Sequence, residues 1–229
     1  MLQYVDERHA DSQYEEELRA LIDALNKMRS LMLEQFDMLQ KLLDDPAGTK
    51  SGAKAAAQAL DKQINALQGD VDKNVLNLLV RHSPQLVELR FILSASKLAG
   101  QFERMGDHCK NSIKRLCRSD DKISEGVHER LVHLAQVTQP LLASLENALL
   151  RFDDNAAKIA VEADDAVDKV FKKLVVKMPK VLDDDQVENE AVSDVLFIGK
   201  NLERLADHAT DIICEAHYIH NGERIDFDE

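Results

Sequence analysis

Apolar residues recur at alternating steps of three and four along most of the chain. In residues 14–43 the repeat is carried by Leu18, Leu21, Leu25, Met28, Met32, Phe36, Leu39 and Leu43. Such steps place the side chains on one face of an α-helix. Similar patterns predict further helices over 53–82, 83–118, 127–152, 155–178 and 186–221. No stretch alternates with period two for long, so strands are not expected and the predicted fold class is all-α.

Two helix starts are predicted from local signals. Ser83 is a suitable N-cap residue, and Pro84 can occupy the first helical position, where a missing N–H costs nothing. Asp185 and Glu188 have the spacing of a capping box at the start of the sixth helix. The third helix is therefore expected to begin at Ser83, and the sixth near residue 186.

One motif occurs twice, in the third and the sixth predicted helix. Residues 101–108 read Q-F-E-R-M-G-D-H, and residues 201–208, one hundred positions later, read N-L-E-R-L-A-D-H. The recurrence at matched places in two helices indicates duplication. We therefore expect two tandem, pseudo-symmetric three-helix bundles, with the first repeat at 1–122 and the second at 123–229.

The apolar positions around the two motifs correspond at the same offset. The first set is Ile92, Ala99, Phe102, Gly106, Cys109 and Ile113, and the second is Val192, Gly199, Leu202, Ala206, Ala209 and Ile213. Several are small, which allows a neighbouring helix to approach closely. These residues are predicted to form the core seam of each repeat.

Acidic residues flank the second seam. Glu203, Asp207 and Asp211 are spaced four apart, so a helix would place them in one column, and Asp164 and Asp168 have the same spacing on the preceding helix. Like charges beside a core repel unless a cation neutralises them. Carboxylates without thiolates suit Mg, Ca, Mn or Fe, with Zn possible. The sequence therefore predicts a metal site in the second repeat.

The first repeat has fewer carboxylates. Glu103, Asp107 and Asp61 are retained, whereas Asn65 and Asn111 stand where the second repeat has acids. Weaker metal binding is expected there.

Two other interpretations compete with metal binding. An acidic pair four apart is often only a solvated helix face, and Arg104 and Arg204 offer plain ion pairs to an adjacent helix. His108 and His208 lie about 100° from the preceding Asp, so they are expected to pair within the bundle rather than ligate metal.

Composition excludes several functions. With 29 basic against 42 acidic residues, the net charge of −13 disfavours nucleic acid and anionic lipid as partners. No apolar stretch is long enough to span a bilayer, and no signal peptide is recognised, so a cytoplasmic protein is expected.

Three unpaired cysteines indicate neither a disulfide framework nor a zinc site. No nucleophile motif or Gly-rich phosphate loop is found, so an enzyme is not predicted.

The two motifs resemble those of the PhoU family of phosphate-uptake regulators. The resemblance is carried by Leu89-Arg90, Ala99 to His108 and Lys200 to Asp211, and it extends over both repeats. It implies iron or zinc at the acidic columns in some members, and frequent homodimers. The chain departs from the family at the start of the third helix and at Asp211, where the family usually has Asn.

The resemblance also implies a function. Family members are negative regulators of the phosphate-starvation response that couple the phosphate ABC transporter, through its ATPase subunit, to a sensor histidine kinase. The alternatives are an accessory protein of an inorganic-phosphate permease and a metal-handling carboxylate bundle protein.

Overall fold

The computed structural model describes residues 12–119, 125–150, 154–182 and 189–224, and in this part of the chain all regular structure is helical. In chain order the helices are α1 (Ser12–Asp44), α2 (Pro46–Arg81), α3 (Leu86–Ser119), α4 (Glu125–Leu150), α5 (Asp154–Leu182) and α6 (Asn189–Asn221). The predicted all-α fold with six helices is confirmed.

The helices pack as two groups of three. α1, α2 and α3 contact one another, as do α4, α5 and α6. The two groups meet chiefly along α3 and α6, and α1 also touches α4. The two tandem bundles expected from the sequence are therefore present, and the helices that carry the repeated motif join them.

The start of α3 differs from the prediction. The helix begins at Leu86, whose φ of 51° lies in the left-handed region. A regular helix cannot extend backwards through such a residue. The prediction that Ser83 caps the helix and Pro84 begins it is therefore wrong. The capping box predicted at Asp185 and Glu188 lies outside the described residues.

α2 is interrupted near its start. Ser51 has a ψ of 114° and Gly52 a φ of 82°, so one short turn precedes the continuous helix. Glycine adopts positive φ without the steric cost that a Cβ imposes. The long part of α2 thus begins close to residue 53, as the apolar pattern predicts.

The predicted core seams are confirmed. Every seam position named above is buried. A Cβ added to Gly106 would come within 2.9 Å of Ile64 Cδ1, and one added to Gly199 within 2.8 Å of Leu174 Cδ2. The two glycines therefore allow the middle helix of each repeat to pack closely against the motif helix.

We predict that Gly199→Ala destabilises the protein although alanine favours helices. The added methyl overpacks the contact with Leu174, at a cost of about 1–3 kcal/mol, against a gain in helix propensity of about 1 kcal/mol. Gly100→Ala is the matched control, because its Cβ would meet nothing closer than Gln68 Nε2 at 3.8 Å. Urea unfolding should show a lower midpoint for Gly199→Ala and an equal or higher one for Gly100→Ala. Equal midpoints for the two variants would contradict the close contact.

Candidate functional site

α3 and α6 cross as equivalent partners about a pseudo-twofold axis. Ser94 Oγ donates to Glu215 Oε1 at 2.5 Å, and the positions one hundred residues away also pair, Arg115 Nη1 donating to Asp194 Oδ1 at 2.6 Å. The duplication is therefore visible in the interface itself. The charges differ between the two pairs: the first joins a neutral serine to a glutamate, and the second joins an arginine to an aspartate.

Two histidines lie at the centre of this interface. The rings of His108 and His208 stack with centroids 5.4 Å apart and planes 13° from parallel. Burial lowers the pKa of both, that of His208 to about 4, and the positive charges of Arg104 and Arg204 lower both further. Both rings are neutral near pH 7 and pair within the bundle, as the sequence indicated.

The first acidic cluster contains its own cation. It consists of Asp61 on α2, with Glu103 and Asp107 on α3. Lys110 Nζ donates to Asp61 Oδ1 at 2.9 Å and to Asp107 Oδ1 at 2.5 Å. Burial, and then the charges of Asp107 and Asp61, raise the pKa of Glu103. The cation that the sequence requires beside these acids is the Lys110 ammonium.

This arrangement does not fit a metal ion. A divalent ion would have to displace Lys110 from both carboxylates, and the displaced ammonium would then lie beside a second positive charge. Weaker binding in the first repeat was expected from Asn65 and Asn111. Lys110 supplies a different and more direct physical reason.

The second acidic cluster consists of Asp164 and Asp168 on α5, with Glu203 and Asp207 on α6. Burial raises the pKa of Asp164 to about 6, and the charges of Asp207, Asp168 and Glu203 add to the shift. The pKa of Asp207 is also raised, first by burial and then by Glu203. These four carboxylates are therefore close enough to destabilise one another's charged forms.

Two lysines contact the second cluster, and the charge of Lys200 also partly offsets the rise in the pKa of Asp207. Lys172 Nζ is 2.8 Å from Asp168 Oδ2, and Lys200 contacts Glu203. Among the described residues, neither Asp164 nor Asp207 has a basic group within ion-pair distance. The position equivalent to Lys110 is Thr210. The second cluster thus lacks the internal ammonium of the first.

The second cluster fits a cation by its charge and by its donors. However, nowhere in the described ranges do three or more His, Cys, Asp or Glu side chains converge closely enough to hold a metal ion as they stand. Binding would require carboxylate rotamers to change. Metal binding at Asp164, Asp168, Glu203 and Asp207 accordingly stays a prediction.

Asp211 lies apart from the other acids of its column. It accepts a hydrogen bond from Gln101 Nε2 of α3 at 3.0 Å. It also lines a cavity of about 530 Å³ between α3 and α6, which we call the mixed cavity. The predicted column of three carboxylates on α6 therefore divides, with Asp211 facing α3.

The predicted alternative of ion pairs from Arg104 and Arg204 does not describe the clusters. In the described part of the chain neither arginine lies within ion-pair distance of a carboxylate. Lys110 is not among the residues predicted for the site, although it stands three residues after Asp107, a spacing at which helical side chains meet. That spacing was the available signal.

These features define a class, namely helical proteins of two tandem three-helix repeats whose motif helices pair about an internal pseudo-twofold axis and carry one acidic cluster each. A family model described as the PhoU domain matches residues 25–116 and again 131–216. The chain belongs to the PhoU family. The resemblance noted in the motifs is thereby confirmed.

Similar proteins are known from several bacteria. The Pseudomonas aeruginosa "Phosphate-specific transport system accessory protein PhoU homolog" is 27% identical, covering 93% of this chain and 88% of its own. A Zymomonas mobilis protein of the same description is 26% identical, covering 91% and 90%. The crystal structure of PhoU from Pseudomonas aeruginosa superposes with a TM-score of 0.83 at 25% identity, covering 92% of this chain and all of the other. The crystal structure of the phosphate transport system regulatory protein PhoU from Streptococcus pneumoniae superposes with a TM-score of 0.78 at 24% identity, covering 93% of this chain and all of the other.

None of the described helices combines the length and the apolar character needed to cross a bilayer.

We predict that Asp164 makes the stability of the metal-free protein depend on pH. Its pKa in the folded chain, about 6, exceeds the ordinary 3.8, so the folded state holds this proton more tightly than the unfolded state does. The free energy of unfolding therefore falls as pH rises from about 4 to about 6. Asp164→Asn removes this contribution, so the Tm of the variant relative to wild type should rise across that range in chelator-containing buffer.

Asp165→Asn is the control for this comparison, because the charge of Asp165 raises the pKa of Asp164 less than burial, Asp207, Asp168 or Glu203 do. Asp165 is an exposed neighbour that pairs with Lys169 at 3.8 Å. Comparing each variant with wild type cancels the opposite contribution of the histidines, whose lowered pKa values make stability increase with pH. Identical pH profiles for Asp164→Asn and Asp165→Asn would contradict the assignment.

Proposed function

We propose that this protein is an accessory regulator of phosphate transport, which restrains phosphate uptake and the phosphate-starvation response through protein contacts. Its partners in this proposal are the ATPase subunit of the phosphate ABC transporter and a sensor histidine kinase. The observation that carries the proposal is the match of both repeats to one family whose members are described as phosphate-specific transport accessory proteins.

The surface of the molecule supports a role based on protein contacts. Large apolar side chains are exposed near the turn between α2 and α3, namely Leu76, Val80 and Leu86, and Val176 is exposed on α5. Such residues are available to partner proteins. Homodimerisation, which the family resemblance implies, is part of the proposal.

The test of the regulatory role is deletion of the gene in its host under phosphate-replete conditions. We expect phosphate uptake to rise, and expression from a phosphate-starvation promoter to rise several-fold, because the restraint is lost. Reintroducing the wild-type gene should restore both. Both readouts are measured in cells grown at high and at low phosphate.

The outcome separates the two transport proposals. Unchanged promoter activity, with altered uptake through an inorganic-phosphate permease, would favour the alternative of a permease accessory protein. Purification of the chain from cross-linked cells should recover the ATPase subunit of the ABC transporter. Recovery of the permease instead would contradict the leading proposal.

We further propose that a metal ion, iron or zinc by family resemblance, binds the second acidic cluster and not the first. When bound, the ion would supply positive charge at oxygen donors. Asp164 and Asp207 carry the argument, because they have raised pKa values and no internal cation. In the first cluster, by contrast, the Lys110 ammonium already contacts Asp61 and Asp107. Mg, Ca and Mn remain compatible with the same donors.

We predict that Thr210→Lys lowers metal content by placing an ammonium where the first repeat has one. The new side chain stands three residues after Asp207, as Lys110 stands after Asp107. Elemental analysis of untagged protein, reloaded separately with Fe²⁺, Zn²⁺ and Mn²⁺, should show about one ion fewer per chain than wild type. Asp164→Asn combined with Asp207→Asn should have the same effect.

Two controls keep this test specific. Asp165→Asn removes one charge outside the cluster and should leave metal content unchanged. Lys110→Thr removes the internal cation of the first cluster and should increase metal content. Wild-type protein that takes up none of these ions, or Thr210→Lys protein with wild-type content, would contradict the metal proposal without affecting the genetic test.

A further inference from the structure

A second cavity lies between α3 and α6 at the place related to the mixed cavity by the pseudo-twofold axis. We call it the basic cavity. Its volume is about 400 Å³, and it is lined by His108, Asn111, Lys114, Arg115, Arg118, Phe197, Asn201 and Arg204. Gln101, Arg104, Asp211, Cys214, Glu215 and Tyr218 line the mixed cavity at the equivalent positions.

The charges of the two cavities differ because equivalent positions have diverged. Glu215 of the mixed cavity corresponds to Arg115, and Asp211 to Asn111. The lining of the mixed cavity combines acidic with basic side chains. The lining of the basic cavity includes four basic side chains and no acidic one. In a chain whose net charge is −13, this is a local concentration of positive charge.

Two of the four cations, Arg115 and Arg118, are oriented by ion pairs. Arg115 Nη1 and Arg118 Nη2 each donate to Asp194 Oδ1 at 2.6 Å, and Asp194 is fully buried. Arg118 Nη1 also lies 3.4 Å from Glu190 Oε1, so part of the charge of these two arginines is offset. The Arg115 guanidinium also lies 4.0 Å from the centre of the Phe197 ring. A guanidinium has five N–H donors, so each retains donors beyond those that Asp194 accepts. The pair is therefore positioned before any ligand arrives.

The other two cations, Lys114 and Arg204, form no ion pair with the part of the chain that the structure describes. No carboxylate of the described chain lies within ion-pair distance of Lys114 or Arg204. Arg204 instead adds to the electrostatic lowering of the pKa of His108 and His208. Amide groups of Asn111 and Asn201 complete the polar lining. The cavity thus combines two guanidinium groups oriented by Asp194, two cations without an ion pair among the described residues, and neutral hydrogen-bonding groups.

We infer that the basic cavity binds a phosphoryl oxyanion, either free phosphate or diphosphate or a small phosphate ester. Guanidinium groups match the oxygens of such anions in geometry and in charge. Positive charge in a concave surface also concentrates anions. The cavity has room for on the order of ten water molecules at about 30 Å³ each. Orthophosphate has only five heavy atoms, so the cavity is large enough to hold it. This site goes beyond the proposed function, because it requires neither a metal ion nor a partner protein.

The test is isothermal titration of the purified full-length protein with orthophosphate, diphosphate and glycerol 3-phosphate at fixed pH and ionic strength. The test variant combines Lys114→Gln with Arg204→Gln, which removes two cations that form no ion pair within the described ranges. The control combines Lys97→Gln with Arg104→Gln, which removes two positive charges from the mixed cavity, one of them paired with Glu215 at 3.2 Å. Thermal unfolding shows that each variant is folded.

We expect saturable binding of at least one of the three anions by wild type. The test variant should have a Kd raised roughly tenfold or more, because charge-assisted contacts are lost, and the control a Kd within about twofold of wild type. Orthophosphate binding more tightly than glycerol 3-phosphate, a monoester of similar charge, would identify free phosphate as the ligand, and the reverse order would identify esters. Absence of saturable binding, or equal losses in both variants, would overturn the inference. Neither result would bear on the genetic test.

Discussion

The antiparallel contact between α3 and α6 is the constraint on which the other features depend. It joins the two repeats, and it brings His108 against His208 at the centre. Polar pairs extend outward on both sides, from Asn201 near the centre to the buried Asp194 towards one end. Both cavities lie along this contact. The acidic clusters lie where the same two helices meet α2 and α5. One pair of helices therefore supplies residues to every site described.

Duplication supplied two copies of each position, and the copies have since acquired different charges. Lys110 and Thr210 occupy equivalent places, so one ammonium bridges two carboxylates of the first cluster, whereas the lysines of the second cluster each pair with a single acid and leave Asp164 and Asp207 without an ion pair among the described residues. Arg115 and Glu215 are also equivalent, and this exchange gives the two cavities different electrostatics. The backbone symmetry is retained because the small residues of both seams are retained. The halves share a fold but present different chemistry.

The sequence allowed much of this fold to be predicted, because the determining signals are local or periodic. The three- and four-residue steps identified the helices, and the constant offset identified the repeat. Leu86 could not be identified as the start of α3, because its positive φ contradicts its residue type. The basic cavity could not be predicted either. It requires the antiparallel register that places Arg204 beside residues of α3, and no spacing along one helix encodes that register.

The different neutralisation of the two clusters gives the repeats different dependence on their surroundings. In the first, Lys110 is covalently part of the chain and provides its charge under all conditions near neutral pH. In the second, Asp164 has no basic group within ion-pair distance among the described residues, and with its pKa raised to about 6 a proton relieves the repulsion there. Glu203 and Asp207 belong to α6, as does Arg204 of the basic cavity. Charge in the second cluster and an anion in the basic cavity therefore act on one helix, at residues less than two turns apart. Since α3 and α6 together join the repeats, and the basic cavity is lined by residues of both helices, ligand chemistry at these sites acts directly on the contact between the repeats.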